Sequence, residues 1–118
     1  MLTITALADE TLTEAELAEI NFLSAAEHLA EQSPAIARAL VAYQSAARKA
    51  EDAARDAHAL SDQLAAGWNK GDSMAKATAN AEARAGAYRW LRECQKRADG
   101  LKLVLESAMK AAGRRVAA

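Results

Sequence analysis

The chain has little of what most folds and most active sites are made from. One proline, five glycines, a single cysteine and five aromatic residues are spread over 118 positions. β-Branched residues are scarce outside the first and last stretches, and strands are built from those and from aromatics, so the composition argues against a sheet. Cys94 alone cannot form an internal disulfide framework and suits a reducing compartment. Residues 1–8 contain no Lys or Arg and only a short apolar run, so they do not read as a secretory signal. No uncharged stretch approaches the roughly 20 residues of a membrane-spanning helix. From these absences a cytoplasmic protein, away from membrane, is expected.

What is abundant is alanine. The sequence holds 33 of them, so the hydrophobic fraction of 52% overstates the core. Alanine is the best helix former but buries little area, which makes helix propensity high and packing energy low. One all-α domain is expected over residues 1–118, with 1–12 as a flexible arm and 113–118 as a flexible basic tail.

Thr13 followed by Glu16 has the form of a capping box, with acids in the first turn where the helix dipole favours them. A first helix is expected over about 14–31. Its large apolar residues Leu17, Ile20, Phe22, Leu23 and Leu29 cover more than one face, enough for two neighbouring helices or for a second subunit. Ser33-Pro34 reads as an N-cap followed by proline at the first helical position, opening a second helix over 34–66. Ile36, Leu40, Tyr43, Ala47, Ala50, Ala54, Ala57, Ser61, Leu64 and Trp68 step by four and three along it, a heptad seam with large residues at its ends and alanines between. Arg38, Arg48, Asp52, Arg55 and Asp56 mark its solvated side. A third helix is expected over 73–112, with a break near Gly100 and Gly86 as a close-contact point. Its apolar face is Trp90, Leu91, Cys94, Ala98, Leu101, Leu105, Met109 and Ala112.

Between the last two helices lies Gly67-Trp68-Asn69-Lys70-Gly71-Asp72-Ser73. Gly67 and Gly71 are expected to supply positive φ at the helix exit, and Asp72 or Ser73 to cap the next helix. The fold class is therefore an antiparallel three-helix bundle built on a long hairpin. The short first helix lies beside residues 34–52 and the C-terminal half of the third helix. Residues 54–90 then project as a two-helix finger tipped by Trp68. A tryptophan in a hairpin bend is also a feature of secreted WXG-type proteins. The order here is Trp-Asn-Lys-Gly, however, and a further helix precedes the hairpin, so membership does not follow.

The net charge of −1 conceals a polarity. Residues 1–33 carry seven acids and no Lys or Arg, residues 84–115 carry nine bases against three acids, and residues 34–83 balance. Arg89, Arg92 and Lys96 line up over two turns of the third helix, and Arg114 and Arg115 extend the basic run. Such a face is what non-specific nucleic-acid binding needs, although a pI of 6.1 falls short of a basic nucleic-acid-binding domain. The adjacent acidic helix is also expected to compensate part of the field.

Nothing points to catalysis. His28 and His58 lie some 30 Å apart along the expected helices. His58 and Asp62, spaced i and i+4, are too few for a structural zinc site. Phosphate loops, nucleophile-base sets and cofactor motifs are lacking. Trp68, with Lys70 beside it, either closes the hairpin core or anchors a partner. The leading expectation is a non-enzymatic protein-protein interaction module, without cofactor or metal and self-associating as a homodimer. It would serve as an adaptor, a structural component or a small inhibitor that occludes a partner. A small, alanine-rich chain without motifs is also what many phage and mobile-element accessory proteins look like, including those that block host defence. The alternative is a nucleic-acid-associated protein using the basic face.

Overall fold

A computed structural model describes residues 12–69 and 71–117, with side chains as far as Gly113. Among the described residues the chain forms three helices and no strand: α1 (Glu14–Ala30), α2 (Pro34–Ala66) and α3 (Met74–Ala117). The caps expected from sequence are in place. Thr13 Oγ1 accepts from the Glu16 N–H at 3.1 Å, and Ser33 Oγ accepts from the Ile36 N–H at 3.3 Å with Pro34 at the first position. Each oxygen satisfies one of the N–H groups that a helix start leaves without a partner.

The bundle is elongated because α3, at 44 residues, sets its length. The long axis is 70 Å, and the radius of gyration of 20.2 Å compares with about 13 Å for a compact domain of this size. α2 and α3 make an antiparallel hairpin, and α1 lies across its open end. There Ala26, Ile36, Leu40, Tyr43 and Leu105 form the main buried cluster, with Phe22, Leu23, Leu29, Leu101, Ala108 and Met109 packed against it. A second, thinner cluster of Ala53, Leu91 and Cys94, flanked by Ala50, Ala54 and Tyr88, carries the seam toward the bend. Beyond it only Ala57 is fully enclosed among the described residues. The two-helix finger expected over 54–90 is therefore present, with a seam of small side chains that brings the backbones close and buries little area.

Several expectations need correction. The seam on α2 runs through Ala46 and Ala53, which are buried, while Ala47 and Ala54 are only partly covered. An α-helix drifts relative to a seven-residue repeat, so the closest approach to α3 falls on Ala46 and Ala53, with Ala47 and Ala54 packed at the edges of the buried clusters. Trp90, assigned to the apolar face of α3, is 53% exposed, and Leu91 holds that level of the core instead.

The glycines also behave differently. Gly100 does not break α3, which continues past Ala112 to Ala117. The cost of an interior glycine, up to about 1 kcal/mol, is outweighed by burial of Ala98, Leu101 and Leu105 around it. Gly86 is no contact point, since a Cβ there would meet nothing within 4 Å. No described glycine has positive φ; Gly67 ends α2 at φ −84 and ψ −2. Residues 1–11 and Lys70 lie outside the described residues, so the expected arm and that candidate are not placed.

Two substitutions separate packing from propensity. Leu105→Ala, at a fully buried position where the three helices meet, is expected to cost about 2–5 kcal/mol in chemical denaturation. Gly100→Ala, at an exposed helical position with open space for a Cβ, is expected to stabilise by about 0.5–1 kcal/mol. A loss on Gly100→Ala would show that α3 needs its flexibility there.

Candidate functional site

Three regions hold the side chains that the sequence singles out. The first is the junction of the three helices. Lys102 of α3 donates to Glu19 Oε2 of α1 at 2.6 Å, and the Tyr43 hydroxyl of α2 donates to the other carboxylate oxygen. The Lys102 ammonium also sits 4.9 Å from the centre of the Phe22 ring, which packs nearly perpendicular to the Tyr43 ring with the ring centres 6.1 Å apart. Acidic α1 thus meets basic α3, as expected, through one ion pair shared with a phenol.

Each member shifts the others. Burial alone would raise the Glu19 pKa, but hydrogen bonds from Lys102 and Tyr43, together with the lysine's charge, bring it below the ordinary carboxylate value. Burial first, and then donation to the Glu19 carboxylate, pushes Tyr43 above the ordinary phenol value. The arrangement is structural chemistry: a carboxylate held ionised and a phenol held protonated, each committed to its neighbour.

The second region is the bend. It is held by Asp72, whose Oδ2 accepts from the Asn69 N–H at 2.8 Å and pairs with Lys76 at 3.0 Å, while the Asp72 N–H returns to the Asn69 carbonyl at 2.9 Å. The Asn69 N–H first, and then Lys76, hold the Asp72 carboxyl below its usual range. Lys76 also reaches the Gly67 carbonyl at 3.3 Å, and Ser73 caps α3 by accepting from the Lys76 N–H. A side-chain pin replaces the left-handed glycine expected here. Trp68 is 44% exposed and joins neither buried cluster. With Leu64, Ala65, Ala77, Asn80 and Arg84 it lines an open groove of about 390 Å³.

The third region is the outward side of α3. Arg89, Arg92 and Lys96 are all exposed, and none has an ion-pair partner among the described residues. The compensation expected from α1 reaches only Lys102. Trp90, away from this ridge on the flank of α3 next to α2, lines a second open groove with Ala46, Lys49, Glu93, Cys94 and Arg97. The side chains of Arg114 and Arg115 lie outside the described set. The dimer and core candidates of α1 divide cleanly: Phe22, Leu23 and Leu29 pack inward, whereas Leu17 and Ile20 are 46% and 49% exposed.

The remaining chemistry-bearing residues are apart. His58 is exposed and meets Tyr88 Oη through Nδ1 at 3.1 Å, a cross-helix pair that sequence spacing did not reveal. His28 is exposed in the last turn of α1. Cys94 is a buried free thiol. Among the described residues no group of three or more His, Cys, Asp or Glu could hold a metal ion, and no helix is long and apolar enough to cross a membrane. Comparison with protein-family models, with curated proteins and with solved structures finds no match to this chain.

The junction makes stability depend on pH at both ends. Glu19 has a folded pKa below its ordinary 4.5, so its contribution is complete above that pH and is lost as pH falls through the folded value. Tyr43 has a folded pKa above its ordinary 10.0, so its contribution is complete below that pH and is lost as pH rises beyond it. Denaturation across both limbs should show Glu19→Gln flattening the acid limb and Tyr43→Phe the alkaline one. Each is expected to cost about 1 kcal/mol at neutral pH, because the pair is partly solvated.

Proposed function

We propose that the chain is a non-enzymatic protein-binding module that uses the exposed side chains of its hairpin. The observation that carries this reading is the placement of the tryptophans. The chain has only five aromatic residues. Its two indoles, Trp68 and Trp90, lie outside both buried clusters, each lining an open groove beside an arginine. A chain so short of large apolar side chains gains most by burying its indoles, and burial of such side chains at interfaces is where binding energy concentrates. In this reading Trp68 anchors a partner at the bend, and the thin alanine seam gains rigidity when the partner covers it. The role is that of an adaptor, a structural component or a small inhibitor that occludes its partner's surface. An accessory protein of a phage or mobile element acting against host defence in the cytoplasm fits that description.

A second reading is supported by the ridge of Arg89, Arg92 and Lys96, exposed and without ion-pair partners among the described residues. The three cations line up over two turns, and a nucleic acid lying along α3 would meet them in succession.

The experiment is affinity capture from host lysate treated with nuclease. Trp68→Ala should abolish capture while leaving the thermal melt nearly unchanged, because Trp68 contributes to neither buried cluster. A large loss of stability would instead make Trp68 the closing residue of the hairpin core. For the second reading, binding of duplex DNA and RNA is measured from about 50 mM salt upward. Arg89→Ala/Arg92→Ala/Lys96→Ala should reduce both affinity and salt slope, and absence of binding at the lowest salt sinks that reading.

A further inference from the structure

We propose that two copies of the chain associate through complementary faces, the outward side of α1 in one copy seating against the α3 ridge of the other. The inference deepens the reading of the chain as a protein-binding module and names one partner, a second copy.

One face is acidic with an apolar centre. α1 has no Lys or Arg, and only Glu19 of its acids is drawn into the junction. Leu17 and Ile20 remain about half exposed on the outside, bracketed by the exposed Glu16 and Glu27 over about 16 Å of helix. The opposing face is basic. Residues 84–97 hold five bases, Arg84, Arg89, Arg92, Lys96 and Arg97, against the single acid Glu93, and Arg89, Arg92 and Lys96 share the outward side of α3.

Within one chain these faces cannot meet. α1 is anchored on α3 at Lys102, and Arg89 to Lys96 lie about 9–20 Å closer to the bend along the same helix. Leu17 and Ile20 also point away from the body that holds α1, as their exposure shows. Between two copies no such anchor holds the faces apart. Each copy carries both faces, so a two-fold pair makes the contact twice and closes. Opposite charges steer the encounter and fix its register, while Leu17 and Ile20 supply apolar area against the aliphatic stems of the ridge cations.

The test is sedimentation or light scattering on the full chain and on two charge-reversed variants, Glu16→Lys/Glu27→Lys and Arg89→Glu/Arg92→Glu/Lys96→Glu. Helicity and melting confirm that each variant folds. The unaltered chain should dimerise at low salt and dissociate at least about tenfold more readily as salt rises. Each variant alone should be monomeric, having two like-charged faces, and an equimolar mixture of the two should form a one-to-one pair. Leu17→Asn/Ile20→Asn, which leaves the charges in place, should weaken the pair as well. The inference is overturned by an unaltered chain that is monomeric at low salt, by a dimer indifferent to both reversals, or by variants that do not pair on mixing. Association only when duplex DNA is added also overturns it, because the ridge then serves a polyanion. Capture that depends on Trp68 is untouched by these substitutions, so failure here and failure of the binding-module reading are distinguishable.

Discussion

The structure depends on one layer of large side chains. Ile36, Leu40 and Tyr43 from α2, Leu105 from α3, and Phe22 and Leu23 from α1 meet at the open end of the hairpin. No comparable layer exists elsewhere among the described residues. Toward the bend the seam narrows to alanines with Leu91, Cys94 and Tyr88, and then to Ala57. Hydrophobic stabilisation follows buried area, so most of it is generated where α1 sits. The polar trio of Glu19, Tyr43 and Lys102 fixes how α1 sits there. It adds little net energy for a partly solvated pair, but it specifies one register, because a shift of a single residue would turn the carboxylate away from both donors.

Helix starts were legible in the sequence because each rests on a local hydrogen bond between neighbours: Thr13 to Glu16, and Ser33 to Ile36. The hairpin and the finger followed from helix lengths and from the shortness of α1. What escaped was set by the third dimension. Whether Ala46 or Ala47 faces α3 depends on helical drift, which heptad counting conceals. Trp90 fitted an apolar stripe on the wheel, yet α2 offers only Ala46 and Lys49 at its level and cannot enclose an indole. The pairing of His58 with Tyr88 spans two helices and leaves no mark in spacing along either. The glycines of the bend misled because composition indicates where left-handed backbone is affordable, but not whether a side-chain hydrogen bond makes it unnecessary.

The candidate surfaces were legible in the same uneven way. Charge runs along the chain identified the ridge of Arg89, Arg92 and Lys96, since charged side chains on the outer face of a long helix have nowhere else to go. The division of α1 into inward Phe22, Leu23 and Leu29 and outward Leu17 and Ile20 required knowing that α2 and α3 approach α1 from nearly one direction. An apolar surface too wide for one helix is also too wide for this pair of helices, and the remainder is left in water.

The unbroken course of α3 has a mechanical consequence. Helices are stiff along their axis because every turn is braced to the next by hydrogen bonds, and here one such rod of 44 residues runs the length of the molecule. The bend and the three-helix layer are therefore two ends of a lever with an arm of about 40 Å between Met74 and Leu101. A torque applied at the tip is delivered to the layer where α1 is seated, with no joint between them to absorb it. Whatever grips the bend would then be felt at the far end as strain on Glu19 and Lys102.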